Sequence, residues 1–291
     1  MYAIAGVSGH TGSVAAETLL SQGKKVRVIV RDAAKGAPWQ AKGAEVAVAD
    51  LNDEAALTRA LAGIEGAFVL LPPTQTIQSE TPAEDNARLV AVIANAIRAA
   101  KLPHVVLLSS VGAQHAQGTG PIKALHHAER ELAATGAALT AVRAAYFQEN
   151  WGMSLGMLGQ GVLPTFIAKG TRYAQVATKD IGRTVASALV EGGKPGTTTI
   201  IELAGPREYS AEDVAAALSK ATGTTITAQD APLDAVVPTF TSFGLSAAVA
   251  ALYREMYEGI VAGIVAPEAG NRSIRGSVEV GETLAALLPA K

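Results

Sequence analysis

The sequence predicts an α/β protein, a doubly wound parallel sheet of the Rossmann type carrying a smaller, interleaved α/β C-terminal lobe. Three observations predict it. Short β-branched runs alternate with helix-patterned segments through the first half of the chain. Several of those runs are apolar throughout, as parallel strands covered on both faces must be. The first run ends in a turn built on Gly6, Gly9 and Gly12 that opens into a helix.

Taken in order, Tyr2 to Ala5 is the first strand and Ser13 to Ser21 the helix that follows it. Gly6 lets the chain leave the strand sharply, Gly9 admits a pyrophosphate without a Cβ in the way, and Gly12 lets the helix pack on the strand. The helix start offers unpaired N–H groups and a positive dipole end to phosphate. Lys25 to Val30, Glu45 to Ala49, Ala67 to Leu71 and His104 to Ser109 read as the next four strands. Between them lie helices near Asp53 to Leu61, with Asn52 as its cap, and from Pro82 to Ala100, where Leu89, Val92, Ile93, Ala96 and Ile97 recur at helical spacing. Right-handed crossovers then place ligands at the carboxyl ends of the strands.

Residues just past each strand are therefore the candidates. After the second strand, Arg31 suits a 2′-phosphate and favours NADP(H), while Asp32 would suit the ribose hydroxyls of NAD(H). Asp50 and Leu51 stand where an adenine would lie, with a helix cap as the other use of Asp50. Pro72 and Pro73 lack N–H groups and stop the fourth strand at the crevice. Ser109 and Ser110 end the fifth; one hydroxyl facing a nicotinamide or substrate competes with both satisfying a turn. On the next helix, near Gly120 to Thr135, Lys123 can reach a nicotinamide ribose or lie in solvent. His126 and His127 point about 100° apart on that helix, so no metal site is expected there.

Composition excludes more than it identifies. The 291 residues are 49% hydrophobic and 17% charged with a net charge of −2, which fits a folded chain and gives no basic surplus for nucleic acid. There is no cysteine, which removes disulfides, thiolate metal sites and cysteine nucleophiles. No apolar run approaches the ~20 residues of a membrane span, and the chain enters its first strand without a leader pattern, so a soluble cytoplasmic protein is expected.

These residues carry a resemblance. The turn GVSGHTG, Arg31, Asp50-Leu51, the SSVGA stretch, Lys123 in IKALHHAERELAATG, the strand TAVRAAYFQENW and the later ATKDIGRTVASAL together resemble the NmrA-like group of atypical short-chain dehydrogenases. That group includes NAD(P)H quinone reductases and cofactor-sensing regulators. The resemblance implies that Gly6, Ser8, Gly9, His10, Thr11 and Gly12 wrap the pyrophosphate, that Arg31 selects the adenosine end, and that Lys123 sits on the nicotinamide ribose. It also places Tyr146, Phe147 and Asn150 at the mouth of the pocket after strand six. Phe147 is as well suited to core packing, and Asn150 is the better site residue.

One departure matters. Ordinary short-chain dehydrogenases place a tyrosine four residues before the lysine as proton donor. Here Thr119 holds that position, and no tyrosine in the chain is followed by a lysine four residues on. Quinone reduction needs an oriented acceptor more than a built-in acid, since solvent can supply the proton. Two function classes follow: an NADPH-dependent oxidoreductase acting on a quinone or similar electron-poor acceptor, with Lys123 and Asn150 at the reacting centre, or a non-catalytic NAD(P)-binding redox sensor acting through a protein partner.

The domain expectation is residues 1–150 for the cofactor domain, with 178–204 returning to it, and 151–177 with 205–291 for the smaller lobe. Gly152 to Gly170 reads as a short helix and lid over a flat ligand, or as a homodimer contact. Asp180 and Ile181 open the returning helix and Thr198 to Leu203 is its strand. Ser210 to Thr222 is a helix capped by Ser210 and Asp213. A strand near Thr225 to Ala228 and helices from Leu233 and Ser246 complete the lobe, with Tyr253, Met256, Tyr257 and Ile260 on one helical face as core or lid residues.

Overall fold

In a computed structural model that describes residues 1–73 and 76–288, strands and helices alternate from the first residues. β1 (Tyr2–Ala5), α1 (His10–Ser21), β2 (Val26–Val30), α2 (Ala33–Ala41), β3 (Glu45–Val48), α3 (Glu54–Leu61), β4 (Gly66–Val69), α4 (Pro82–Ala100), β5 (His104–Ser110), α5 (Lys123–Ala133) and β6 (Ala138–Ala144) follow one another. After them come β7 (Tyr146–Phe147), a 3-10 helix (Gln148–Gln160), β8 (Val162–Thr165), β9 (Tyr173–Val176), α6 (Thr178–Glu191), β10 (Thr198–Ala204) and β11 (Glu208–Tyr209). The chain closes with α7 (Ala211–Thr222), β12 (Thr227–Asp230), α8 (Val236–Ser242), α9 (Ala247–Val261), β13 (Arg272–Arg275) and α10 (Val280–Leu287).

The main sheet has the order β13-β10-β6-β5-β4-β1-β2-β3, parallel at every pairing. Its order reverses between β1 and β4, which opens the crevice of a Rossmann-type fold at the carboxyl ends of those strands. Two apolar layers hold it. On one face Leu57, Leu61, Leu89, Ile93 and Ile97 from α3 and α4 pack against Ala67, Val69, Val105 and Leu107. On the other, Ala15, Ala16 and Leu19 of α1 and Ile181, Val185 and Leu189 of α6 pack against Ile4, Val28, Phe68 and Val106. Each fully buried Leu, Ile or Phe side chain contributes about 1.5–3 kcal/mol.

The local signals explain most boundaries. Pro82 stands in the first turn of α4, where a missing N–H costs nothing, and the helix stops where Lys101 turns left-handed. Ser210 and Asp213 form both halves of the capping box expected for α7. Other boundaries correct the sequence reading. Asn52 is not the cap of α3; Asp53 is, its side chain accepting from Ala56 N–H at 2.9 Å. α2 was not expected, because Gly36 and Pro38 fall inside it. β13 lies at the edge of the main sheet against β10, although residues 205–291 were expected to belong wholly to the smaller lobe; residues 289–291 of that span lie outside the described residues.

The remaining strands make small sheets, β11-β9-β7 and β12-β8. They frame two apolar clusters, one around Trp151, Tyr209, Val214 and Leu218, the other around Ile167, Val236, Phe240 and Tyr257. Leu155 and Leu158, in the stretch expected to form a lid, pack against the first of these, while Met153 is exposed. Among the described residues no helix is long and apolar enough to cross a membrane.

Candidate cofactor and acceptor site

The crevice begins at the glycine turn. Gly6 has φ 70°, in the region that favours glycine, and Gly9 N–H donates to its carbonyl at 2.9 Å. A Cβ on Gly12 would overlap the Gly6 carbonyl oxygen and lie 2.5 Å from the Gly6 carbonyl carbon and 2.8 Å from Ala5 O, so helix and strand touch through backbone. A Cβ on Gly9 would meet only Gly6 O, at 3.5 Å, and otherwise faces open space. Gly9 is also the N-cap of α1, and no side chain caps that helix. Its first-turn N–H groups are therefore left for an external anion, the arrangement a dinucleotide pyrophosphate requires. Ser8, Gly9 and His10 are exposed at the rim, while Thr11 and Gly12 are buried behind them.

Past β2, Arg31 is exposed and joins none of the ion pairs among the described residues. Asp32 is turned away from the ribose role: it is the N-cap of α2, accepting from Ala34 N–H at 2.9 Å. That leaves the arginine as the free charge at this strand end. Past β3, Asp50 accepts from Asn52 N–H at 2.8 Å and so closes a local turn, neither capping α3 nor leaving both oxygens open, and Leu51 is buried in the core. Past β4, Leu70 covers Gly6 and half-buried Pro72 leads into a loop tied to the second lobe: Ser246, the N-cap of α9, donates to the backbone oxygens of Ile77 and Ser79 at 3.0 and 2.6 Å.

The serine pair corrects one expectation. Ser109 does not face the crevice; it is buried and donates to Glu129 at 2.6 Å. Glu129 belongs to a charge cluster that the sequence does not reveal, in which Arg143 of β6 holds Glu129 through two bonds of 2.9 and 2.8 Å and also reaches buried Glu202 and exposed Glu268. Burial would depress the Arg143 guanidinium, but the surrounding carboxylates more than offset it and hold its pKa above the ordinary value. Burial raises the Glu202 carboxyl, whose second oxygen has no partner. Ser110 donates to Val111 O at 3.0 Å, a turn bond at the strand end.

Lys123 opens α5 and pairs with Glu255 of α9 at 2.6 Å. The same carboxylate accepts from Gly118 N–H at 2.9 Å. Burial would raise Glu255, but Lys123 and the N–H groups of Gly118 and Gly120 outweigh it and hold the carboxyl below its usual range. The helix docks this closely because Gly120, at φ 60°, has no Cβ: one would overlap Leu252 O and stand 2.9 Å from Met256 N. α9 is thus the bridge that joins the second lobe to both Lys123 and the loop after β4. Thr119, at the position where a short-chain dehydrogenase would carry its tyrosine, is fully buried with an unpartnered hydroxyl.

The far wall is aromatic. Tyr146 follows β6 directly, with its ring 5.5 Å from Tyr173 and 6.4 Å from Trp151, both edge-on. Burial raises the Tyr146 phenol, and Asn150, four residues on, is exposed at the same end of the sheet. Phe147, the third residue expected beside the acceptor, packs into the core. The segment is held from behind: Gln148 donates to Val278 O at 3.2 Å, Glu149 accepts from Thr178 N–H at 2.9 Å, and Trp151 Nε1 donates to Gln175 at 2.9 Å. Tyr253 and Tyr257, legible as one face of a helix, come from α9 over a hundred residues later, so their spacing alone does not say which wall they join.

Known proteins resemble this chain over most of its length. Quinone oxidoreductase 2 of Escherichia coli (strain K12) is 31% identical over 236 residues, 79% of this chain and 77% of that protein. An NAD(P)H azoreductase of Xenophilus azovorans is 26% identical over 257 residues, 86% of this chain and 85% of that one. The crystal structure of an E. coli NADPH-dependent quinone oxidoreductase in complex with NADPH superposes with a TM-score of 0.80 at 25% identity over 99% of each chain. The NADP(H) complex of a Citrobacter sp. triphenylmethane reductase has the same fold, with a TM-score of 0.80 at 19% identity over 99% of this chain and 100% of that one. Residues 2–261 match the NmrA-like family, and the chain belongs to it.

Proposed function

We propose that this protein is an NADPH-dependent oxidoreductase that reduces quinones or similarly flat, electron-poor acceptors. The observation that carries the cofactor choice is Arg31, exposed and without an ion pair among the described residues at the end of β2 while Asp32 caps α2. A guanidinium there suits a 2′-phosphate, whereas a carboxylate already committed to a helix cap is poorly placed for ribose hydroxyls. The quinone and azo-dye activities named for the relatives supply the acceptor class.

The bound nicotinamide supplies the hydride. The chain's own residues do the rest. The uncapped α1 and the bare Gly9 hold the pyrophosphate, and Ser8 and His10 close its rim. Lys123, which opens α5 and pairs with Glu255 at 2.6 Å, offers its ammonium to the nicotinamide ribose. Tyr146 and Asn150 orient the acceptor from the aromatic wall, which excludes water on one side. Positioning of this kind lowers the barrier by removing the entropy of encounter.

The test is the rate of NADPH and NADH oxidation by the purified protein across a panel of simple quinones, with a protein-free control. Quinone-dependent turnover favouring NADPH supports the reading. Tight nucleotide binding with no turnover for any acceptor overturns it in favour of the redox sensor.

A further inference from the structure

α9 rests on the turn that leads into Lys123, and glycine lets it come close. A Cβ on Gly120 would overlap Leu252 O, and one on Gly259 would overlap Gly118 O, so helix and turn touch through backbone. The start of the same helix is anchored elsewhere, through the bonds from Ser246 to Ile77 O and Ser79 O in the loop after β4. Glu255 stands where the helix meets the turn. One of its oxygens accepts from Gly118 N–H at 2.9 Å and the other from the Lys123 ammonium at 2.6 Å. The backbone bond fixes the carboxylate, and the carboxylate fixes the ammonium. A lysine ammonium carries three N–H donors, of which Glu255 takes one.

We propose that Glu255 is the positioning residue for Lys123: braced on Gly118, it holds the ammonium ready for the hydroxyls of the nicotinamide ribose and makes cofactor affinity depend on the docking of α9. This rests on the placement of Lys123 in the oxidoreductase reading above. A lysine stem is flexible, and ordering it only when the nucleotide arrives would cost rotamer entropy. Pairing with a fixed carboxylate removes that cost from the binding step. Stability alone does not account for the arrangement. Lys123 and Glu255 are 30% and 29% exposed, and ion pairs at such exposure contribute little to the fold. The pair is also neutral overall, which suits hydrogen bonding to uncharged hydroxyls. The anionic parts of the nucleotide are assigned to the α1 terminus and Arg31 instead.

Glu255→Gln tests the role. A carboxylate has two acceptor oxygens and an amide has one, so glutamine can keep the bond to Gly118 N–H but then turns a donor toward the ammonium. The variant should raise the NADPH dissociation constant about fivefold in a fluorescence titration, the effect of leaving one long side chain unordered before binding. Lys123→Ala should raise it about tenfold, through the loss of one hydrogen bond. The double variant should match Lys123→Ala, because the carboxylate then has nothing to aim. Binding of adenosine 2′,5′-diphosphate, which lacks the nicotinamide ribose, should be unchanged in every variant. The melting temperature of nucleotide-free Glu255→Gln should fall by less than about 3 °C. Losses that multiply in the double variant, wild-type NADPH affinity in Glu255→Gln, a matching loss of adenosine 2′,5′-diphosphate affinity, or a larger fall in melting temperature would overturn the positioning role. Wild-type NADPH affinity in Lys123→Ala would overturn the placement of that lysine, and the positioning role with it. None of these measurements uses turnover, so each outcome stands apart from the quinone assay that tests the oxidoreductase reading.

Discussion

Gly9 and Gly12 lie three residues apart in one turn, yet alanine at each should damage a different property. At Gly12 the new methyl would overlap the Gly6 carbonyl oxygen and stand 2.5 Å from the Gly6 carbonyl carbon and 2.8 Å from Ala5 O. All three are backbone atoms between a strand and a helix, and none can swing aside. Overpacking of a core costs about 1–3 kcal/mol, and rigid neighbours put Gly12→Ala at the upper end of that range. At Gly9 the methyl would meet a single atom at 3.5 Å, an ordinary contact, and φ of −104° suits any residue. The fold therefore loses at most about 1 kcal/mol there, through the poorer N-cap. The ligand loses more, because the methyl occupies the space that lets phosphate reach the helix N–H groups. Loss of one charge-assisted hydrogen bond of about 1.5–3 kcal/mol corresponds to roughly a 10- to 100-fold loss of NADPH affinity. Thermal melting and nucleotide fluorescence titration on both variants separate the effects. Normal NADPH affinity in Gly9→Ala would refute the placement of the pyrophosphate over that residue, and wild-type stability in Gly12→Ala would refute the backbone contact.

Arg31→Ala should weaken NADPH about tenfold and leave NADH affinity unchanged, read by competitive titration, because one exposed charge-assisted contact to the 2′-phosphate is lost. Thr119→Val should raise stability by about 1 kcal/mol in a denaturant titration, since it replaces a fully buried hydroxyl that has no partner with a methyl of similar size. Burial lowers the pKa of His104, which is 2% exposed, so the unfolded chain takes up the proton first as pH falls below roughly 6.5. Stability should therefore drop as pH falls from about 6.5 through the lower folded-state pKa, and His104→Gln should flatten that slope in melts recorded across the same range.

What was legible in the sequence is what local chemistry dictates. The β1 turn into α1 announces itself because each glycine there answers a short-range demand of the backbone. α4 shows itself because Pro82, the apolar periodicity and its length all agree. α2 hides because its interior carries Gly36 and Pro38; Gly36 is there so that Val46 of β3 can pack against the helix backbone, a tertiary reason. β13, the sequence RSIR, hides because an edge strand flanked by arginines has no apolar run to show. The same limit applies at the site. Arg31 was readable from its place after a strand, whereas the role of Asp32 as a cap depended on recognising α2. For Ser109 the sequence left a ligand-facing hydroxyl and a turn role open, and the actual partner is neither, because Glu129 and Arg143, which occupy its hydroxyl and its surroundings, come from another helix and another strand. Tyr257 is legible as a core or lid residue on a helical face, but its partners Phe166 and Phe240 are set only by the docking of α9.

The most direct test of NADPH-dependent quinone reduction is a single turnover with protein in excess over both NADPH and a simple benzoquinone, in which oxidised nucleotide and hydroquinone are quantified together. The expected result is one hydroquinone formed per NADPH consumed, at a rate that falls about tenfold or more when NADH is used at the same subsaturating concentration. NADPH that binds but disappears no faster than in the protein-free control would contradict it.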